Sequence, residues 1–251
     1  MNRFSLLLIF TLFSTIIFAE NNEVNSTLEE KKSKSNFHLA LDLQTKYIWR
    51  GMEMMKEDSA PVVFPQINYQ YKGFYAYVMG GYSFNGKYSE VDLGISYTYK
   101  WLTLALNDYY YPTTTTADDQ YFKFDKDNTG HWLEGAITIA LEKIPAYLTL
   151  SNFFYGADKK AIGKQAYSTY VELGTYYDFL DSNRLGLAVG AACNESCYNG
   201  YERNFSVCNV ELKYTHTVEL KNGWSFPLNV AYIINPVREK SFVNFSTSLA
   251  F

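Results

Sequence analysis

Three histidines, three cysteines and one acidic run are the residues of this 251-residue chain whose types could do chemistry. Hydrolysis through a serine nucleophile needs a base in contact with it, and the bases of the usual kind are His38, His131 and His216. Each stands without a motif around it and reads as a polar residue near the end of an element, so no catalytic residue is expected. Asp118, Asp119, Asp125 and Asp127 could bind a divalent cation. Lys123 and Lys126 interleave them, however, and no calcium-loop spacing appears, so the run reads as a solvated loop. Cys193, Cys197 and Cys208 cluster in one short stretch, but no histidine or fourth cysteine joins them locally, and a structural zinc site takes four ligands. The sequence therefore points to no metal and no cofactor.

The elements that must position these residues are strands. In FHLALDLQTKYIWRG, Phe37, Leu39, Leu41, Leu43, Thr45, Tyr47 and Trp49 fall on one face, while His38, Ala40, Asp42, Gln44, Lys46, Ile48 and Arg50 fall on the other, because successive strand side chains point to opposite faces. EVDLGISYTYKW and the closing SFVNFSTSLAF repeat the alternation, the latter ending on Phe251. Twelve such segments are expected, at 37–52, 61–72, 73–85, 88–101, 102–113, 130–142, 145–156, 165–180, 184–193, 205–219, 223–235 and 240–251.

The N-terminus decides where such strands would sit. Residues 1–19 carry Arg3, an apolar or hydroxyl run and a small residue, Ala19, where cleavage is expected, which is the pattern of a secretory signal peptide. Residues 20–36 mix charges of both signs with almost no apolar residue and read as a polar periplasmic segment. After Ala19 no apolar run reaches the about 20 residues of a membrane helix. Aromatic residues still make up 18% of the chain, with 23 Tyr, which suits aromatic girdles at two membrane interfaces. Without residues 1–19 the chain keeps 21 basic and 26 acidic residues, a net charge of −5, and offers no electrostatic case for nucleic-acid binding. Export through an oxidising compartment favours a disulfide, with Cys208 bridging to Cys193 or, in competition, to Cys197.

Tight connections (YKGF, YKWL, EKIPA, LDSNR, LKNGW) alternate with long polar ones along the chain. That alternation, on an even number of strands, is the plan of an outer-membrane barrel with short periplasmic turns and longer extracellular loops. Residues 37–251 are therefore expected to form an all-β, twelve-stranded transmembrane antiparallel β-barrel in the bacterial outer membrane, with membrane lipid as its surroundings. The alternation turns Asp42, Lys46, Arg50, Glu90, Asp92, Lys100, Glu134, Glu172, Asp178, Glu211 and Lys213 inward. Rings of charge set ion preference in pores, so a narrow mixed-charge channel for small hydrophilic solutes is one reading. A side-chain-filled barrel with a structural or surface-binding role is the second, since twelve strands lie between the filled eight and the aqueous sixteen. A lipid-modifying outer-membrane enzyme is a distant third.

The stretches TKYIWRGMEM, PQINYQYKGFYAYVMGGYSF and SEVDLGISYTY resemble the N-terminal half of the TorF-type porins, a family catalogued without an established function. The positions that carry the resemblance are Trp49, Arg50, Gly51, Pro65, Tyr69, Gly73, Phe74 and Asp92, over roughly residues 40–112. The resemblance implies a barrel and passive transport, and brings no substrate or catalytic residue. Phe251 also looks like the terminal aromatic by which the barrel-insertion machinery recognises bacterial outer-membrane proteins.

Overall fold

A computed structural model describes residues 36–55, 59–112, 120–126, 128–141 and 143–251. The expected signal peptide (residues 1–19), nearly all of the polar segment after it, and Asp118, Asp119 and Asp127 lie outside the described residues. Strands β1 (Phe37–Gln44), β2 (Ile48–Trp49), β3 (Met52–Glu53), β4 (Val62–Tyr71), β5 (Phe74–Ser83), β6 (Ser89–Tyr99) and β7 (Leu102–Tyr110) make up the first half. The second half contains β8 (His131–Ala140), β9 (Ala146–Gly156), β10 (Thr169–Phe179), β11 (Asn183–Ala192), β12 (Ser206–Glu219), β13 (Ser225–Asn235) and β14 (Lys240–Ala250).

All but β2 and β3 join one closed barrel in which each strand pairs antiparallel with its neighbours in sequence, and β1 returns to β14. The seam runs from Ala40 opposite Ala250 to Gln44 opposite Ser246. Phe251 extends it: its N–H donates to the Leu39 carbonyl at 2.9 Å, and its ring lies 5.8 Å from that of Trp224. Closure leaves no edge among the twelve barrel strands unpaired, which hydrocarbon would not tolerate.

The two faces of the sheet are reversed relative to a water-soluble protein. Apolar side chains such as Ile95, Leu104, Leu150, Leu187, Leu212 and Phe245 are exposed on the outside, while Asn68, Ser96, Thr138, Ser151, Thr215 and Asn244 are buried inside. An outward apolar band around a polar interior is the arrangement of a transmembrane barrel. Aromatic residues mark the turn end of that band, where Tyr71, Phe74, Tyr97, Tyr99, Trp101 and Tyr177 are exposed.

At that end β4–β5, β6–β7 and β10–β11 are joined by turns of two or three residues. Lys100, expected on the lumen wall, is one of these turn residues: its φ is 54°, it is exposed, and its ammonium lies 5.3 Å from the Tyr99 ring centroid. The strand ends two residues earlier than the expected 88–101, so the lysine leaves the wall and meets water. At the opposite end the longest connections gather, between β1 and β4, β7 and β8, β9 and β10, and β11 and β12.

The first expected strand is the largest departure. It leaves the sheet at Gln44 instead of continuing to residue 52, and residues 48–53 form a separate hairpin, β2–β3. Arg50 and Gly51 have φ of 50° and 77°. Positive φ at both central residues of a two-residue turn is the type I′ geometry that fits the twist of a tight hairpin.

Candidate functional site

The β2–β3 hairpin turns inward and occupies the lumen toward the loop end. Its tip touches the wall: a Cβ on Gly51 would lie 2.0 Å from the Cys208 carbonyl oxygen, so no larger residue fits there. Asn235 on β13 donates its Nδ2–H to the Gly51 carbonyl at 2.9 Å and fixes that depth.

Arg50 crosses to the other wall. Its Nη1 donates to Glu134 Oε1 at 2.5 Å and its Nη2 to Glu134 Oε2 at 3.1 Å, while Nη1 also reaches the Tyr198 hydroxyl at 2.5 Å. Tyr109 donates its hydroxyl hydrogen to Glu134 Oε2 at 3.0 Å. The guanidinium lies 4.5 Å from the Trp49 ring centroid and 4.8 Å from that of Tyr170. Only 2% of the arginine side chain and none of the glutamate is exposed. A two-pronged guanidinium–carboxylate pair is both strong and directional, which makes it a means of fixing orientation.

Apolar packing completes the plug. Trp49 packs against Tyr109, Phe153 and Tyr198 at 5.7, 6.1 and 5.7 Å, and Tyr47 against Phe64 at 5.0 Å. On the other side Ile48 clusters with Ala231, Ile233 and Phe242. Tyr198 is supplied by a short 3-10 turn, Cys197–Asn199, which the β11–β12 connection sends into the barrel mouth. Asn199 holds that turn, receiving the Ser196 N–H at 2.9 Å and donating to the Asn194 and Arg203 carbonyls at 2.9 and 2.7 Å. The neighbouring β9–β10 connection braces it through Asp158, which accepts from Ser168 N–H at 2.7 Å and from the Tyr201 hydroxyl at 3.1 Å.

The structure sorts the residues expected in the lumen into groups. Arg50 and Glu134 meet as described. Glu90 accepts from the Tyr88 and Tyr47 hydroxyls at 2.7 and 3.3 Å, and Asp92 is buried one step further along the same strand. Glu172 accepts from Tyr170 at 2.5 Å and Tyr147 at 2.9 Å, and Glu211 shares a cavity of about 30 Å³ with Arg50, Glu172 and Asn209. Lys213 lies in the field of Glu211, Asp42 and Glu172, and Asp42 accepts from Ser248 across the seam. Lys46 and Asp178 stand apart: Lys46 pairs with Glu53 of the hairpin at 3.2 Å, and Asp178 pairs with Arg184 at 2.5 Å at the turn-end mouth.

The wall beneath the plug is lined by hydroxyls and aromatic rings. Thr138 and Thr149 bond to each other at 2.9 Å across neighbouring strands, as do Thr98 and Thr103. The Tyr147 and Tyr77 rings lie flat over Gly174 and Gly94, where an added Cβ would come within 2.1 Å of each ring. The wall residues here are buried by one another and by these rings.

The three cysteines are all free thiols. Cys208 is completely buried in the aromatic cluster inside the barrel, whereas Cys193 is exposed where β11 ends. A register shift between Gly190 and Ala191 puts these two on opposite faces of the wall, so the expected Cys193–Cys208 bridge has no path. Cys197 packs against the same cluster as Cys208 without bonding to it. Burial, with the Asp158 carboxylate nearby, pushes the Cys197 thiol well above its ordinary range.

His131 opens β8, at the end of an element as expected, and has a defined set of partners. It is fully buried on the outer side of the wall, with Nδ1 2.8 Å from Asp108 and Nε2 2.5 Å from the Tyr121 carbonyl. Phe124 stacks on its ring at 4.1 Å. Tyr121 and Phe124, from the described part of the β7–β8 connection, are therefore held against the outside of the barrel. His216 contacts Asn183 at 3.0 Å, and His38 takes no part in the plug.

No known family matches the chain, and no curated protein sequence matches it. Solved structures with a related course include one from a study of the in-meso crystallization of membrane proteins, at 9% identity and a TM-score of 0.47, covering 86% of this chain and 83% of that one. Two mutants of Rh. blastica porin match at 10% identity, with TM-scores of 0.40 and 0.36. They cover 76% and 86% of this chain and 55% and 99% of theirs. The assignment as a membrane barrel rests on this chain's own strand pairing and reversed faces.

Proposed function

We propose that this chain is an outer-membrane barrel of the porin kind whose passage for small hydrophilic solutes is held closed by the β2–β3 hairpin, with the short turns on the periplasmic side. The observation that carries the reading is the buried Arg50–Glu134 pair. A lumen that only needed filling would be filled at least as well by apolar side chains, because desolvating two charges offsets most of their attraction. A charged pair instead defines one docked position that a change in charge can release. The signal-peptide pattern and the apolar outer band support the outer membrane as the location.

The test is single-channel conductance in planar bilayers for the wild type, for Glu134→Gln, and for a variant with residues 48–53 replaced by a Gly-Ser linker. The wild type is expected to be silent with rare openings, Glu134→Gln to open more often, and the linker variant to conduct steadily. A second reading, a permanently filled barrel that works through its loops, is favoured by the burial of Thr138, Thr149 and Ser151 beneath the hairpin. A folded linker variant that stays silent would establish it in place of the first. A lipid-modifying enzyme has less support, since both ring nitrogens of His131 are engaged and neither is available as a base.

A further inference from the structure

The hairpin contributes the arginine, whereas the wall around it is acidic. At or just below its depth the barrel interior carries Glu90 and Asp92 on β6, Glu134 on β8, Glu172 on β10, Glu211 on β12 and Asp42 on β1, all inside the barrel. The carboxylates thus stand on alternate strands around half of the ring and return at the seam. Against them the wall supplies Lys213, with Arg184 nearby and paired to Asp178 at the turn-end mouth, while Arg50 belongs to the hairpin.

We infer that the passage, once the hairpin leaves its docked position, selects small cations, with Arg50 acting in the closed state as a tethered cation in the site a permeating one would cross. This deepens the closed-channel reading and rests on it. Displacing the hairpin takes the arginine away from Glu134 and leaves six wall carboxylates facing Lys213 and the Arg184–Asp178 pair. Acidic rings are the device by which cation pores raise the local concentration of their ion and exclude anions. The docking site is also suited to a cation for a second reason. Glu134 faces it together with the rings of Tyr170 and Tyr198, which already receive the guanidinium at 4.8 and 5.6 Å, and aromatic faces attract cations independently of carboxylates. The Tyr109 and Tyr198 hydroxyls add polar contacts that can replace part of a hydration shell.

The experiment measures reversal potential under a KCl gradient for the linker variant, with Arg50→Ala as an independent opening that leaves the hairpin backbone intact. Heat-dependent gel mobility reports that each is a closed barrel. Both are expected to conduct with a reversal potential displaced toward the potassium equilibrium value, and Glu172→Gln with Glu211→Gln in the linker background to lose most of that displacement. Steady conductance with no displacement, or with displacement toward chloride, overturns cation selectivity while leaving the closed-channel reading standing. Folded linker and Arg50→Ala proteins that both fail to conduct overturn the closed-channel reading and the selectivity with it.

Discussion

Arg50 and Glu134 lie 84 positions apart in sequence and meet inside the barrel through two hydrogen bonds of 2.5 and 3.1 Å, with almost none of either side chain exposed. Removing one partner leaves an uncompensated buried charge, which costs about 3–5 kcal/mol. Glu134→Gln should therefore unfold at lower urea than the wild type, and Arg50→Met combined with Glu134→Leu should recover much of the loss. Urea-induced loss of the compact gel form reads this directly, and a double variant weaker than the sum of the singles would mean that the pair does not act as a unit.

The thiols should react in order of exposure. Cys193 is exposed, Cys208 fully buried, and the Cys197 thiol is both shielded and raised above its ordinary range, so its reactive thiolate is scarce. A maleimide applied to folded, unreduced protein should modify Cys193 first and reach the other two only in denaturant. Mass mapping that finds Cys193 bridged to Cys208 would contradict their placement on opposite sides of the wall.

Leu187 and Leu212 are directly paired on β11 and β12 and exposed at 46% each, at mid-strand on the outside. Leu187→Arg or Leu212→Arg puts a charge in the hydrocarbon at about 2–4 kcal/mol near the midplane. Folding into lipid vesicles should show that loss for both. A cost near zero would mean that this face looks into water.

Asp108 and the Tyr121 carbonyl hold His131, and Phe124 lies on its ring. His131→Ala leaves the Asp108 carboxylate without that partner and Phe124 without its stack, a loss of about 1–3 kcal/mol. The measurable result is faster trypsin cleavage after Lys123 and Lys126 with the barrel still resistant. Equal cleavage rates in variant and wild type would show that the segment is not pinned through the histidine.

Most of the barrel was legible because a transmembrane strand must alternate along its whole length, and alternation is a sequence property. Strand β8 was expected at 130–142 and spans His131–Ala140; the last strand was expected at 240–251 and spans Lys240–Ala250. The hairpin was not legible in that way. Tyr47 and Trp49 continue the alternation of β1, and aromatic residues there suit a membrane rim as well as a plug. The one local signal was Arg50-Gly51 followed by a polar stretch, a dipeptide able to take positive φ twice. His131 stayed hidden because its partners Asp108 and Tyr121 come from a neighbouring strand and a long connection. The cysteine pairing is not readable from spacing, because a register shift, invisible in residues 193–208, sends Cys193 and Cys208 to opposite sides.

The hairpin hangs directly from β1, the strand that shuts the ring against β14 some 200 residues later. The partners of Trp49, Arg50 and Ile48 come from β7, β8, β9, β13, β14 and the Cys197–Asn199 turn, so the hairpin's docked position is complete only when the ring is. Interior packing and circumferential closure therefore support each other. Loop-closure entropy makes the seam contact the slowest of the chain to find. A conservative change at Trp49, remote from both seam strands, should consequently delay the zipping of Leu41 against Leu249. The same tether restricts any later opening to a swing of the hairpin about its two fixed ends, never its departure.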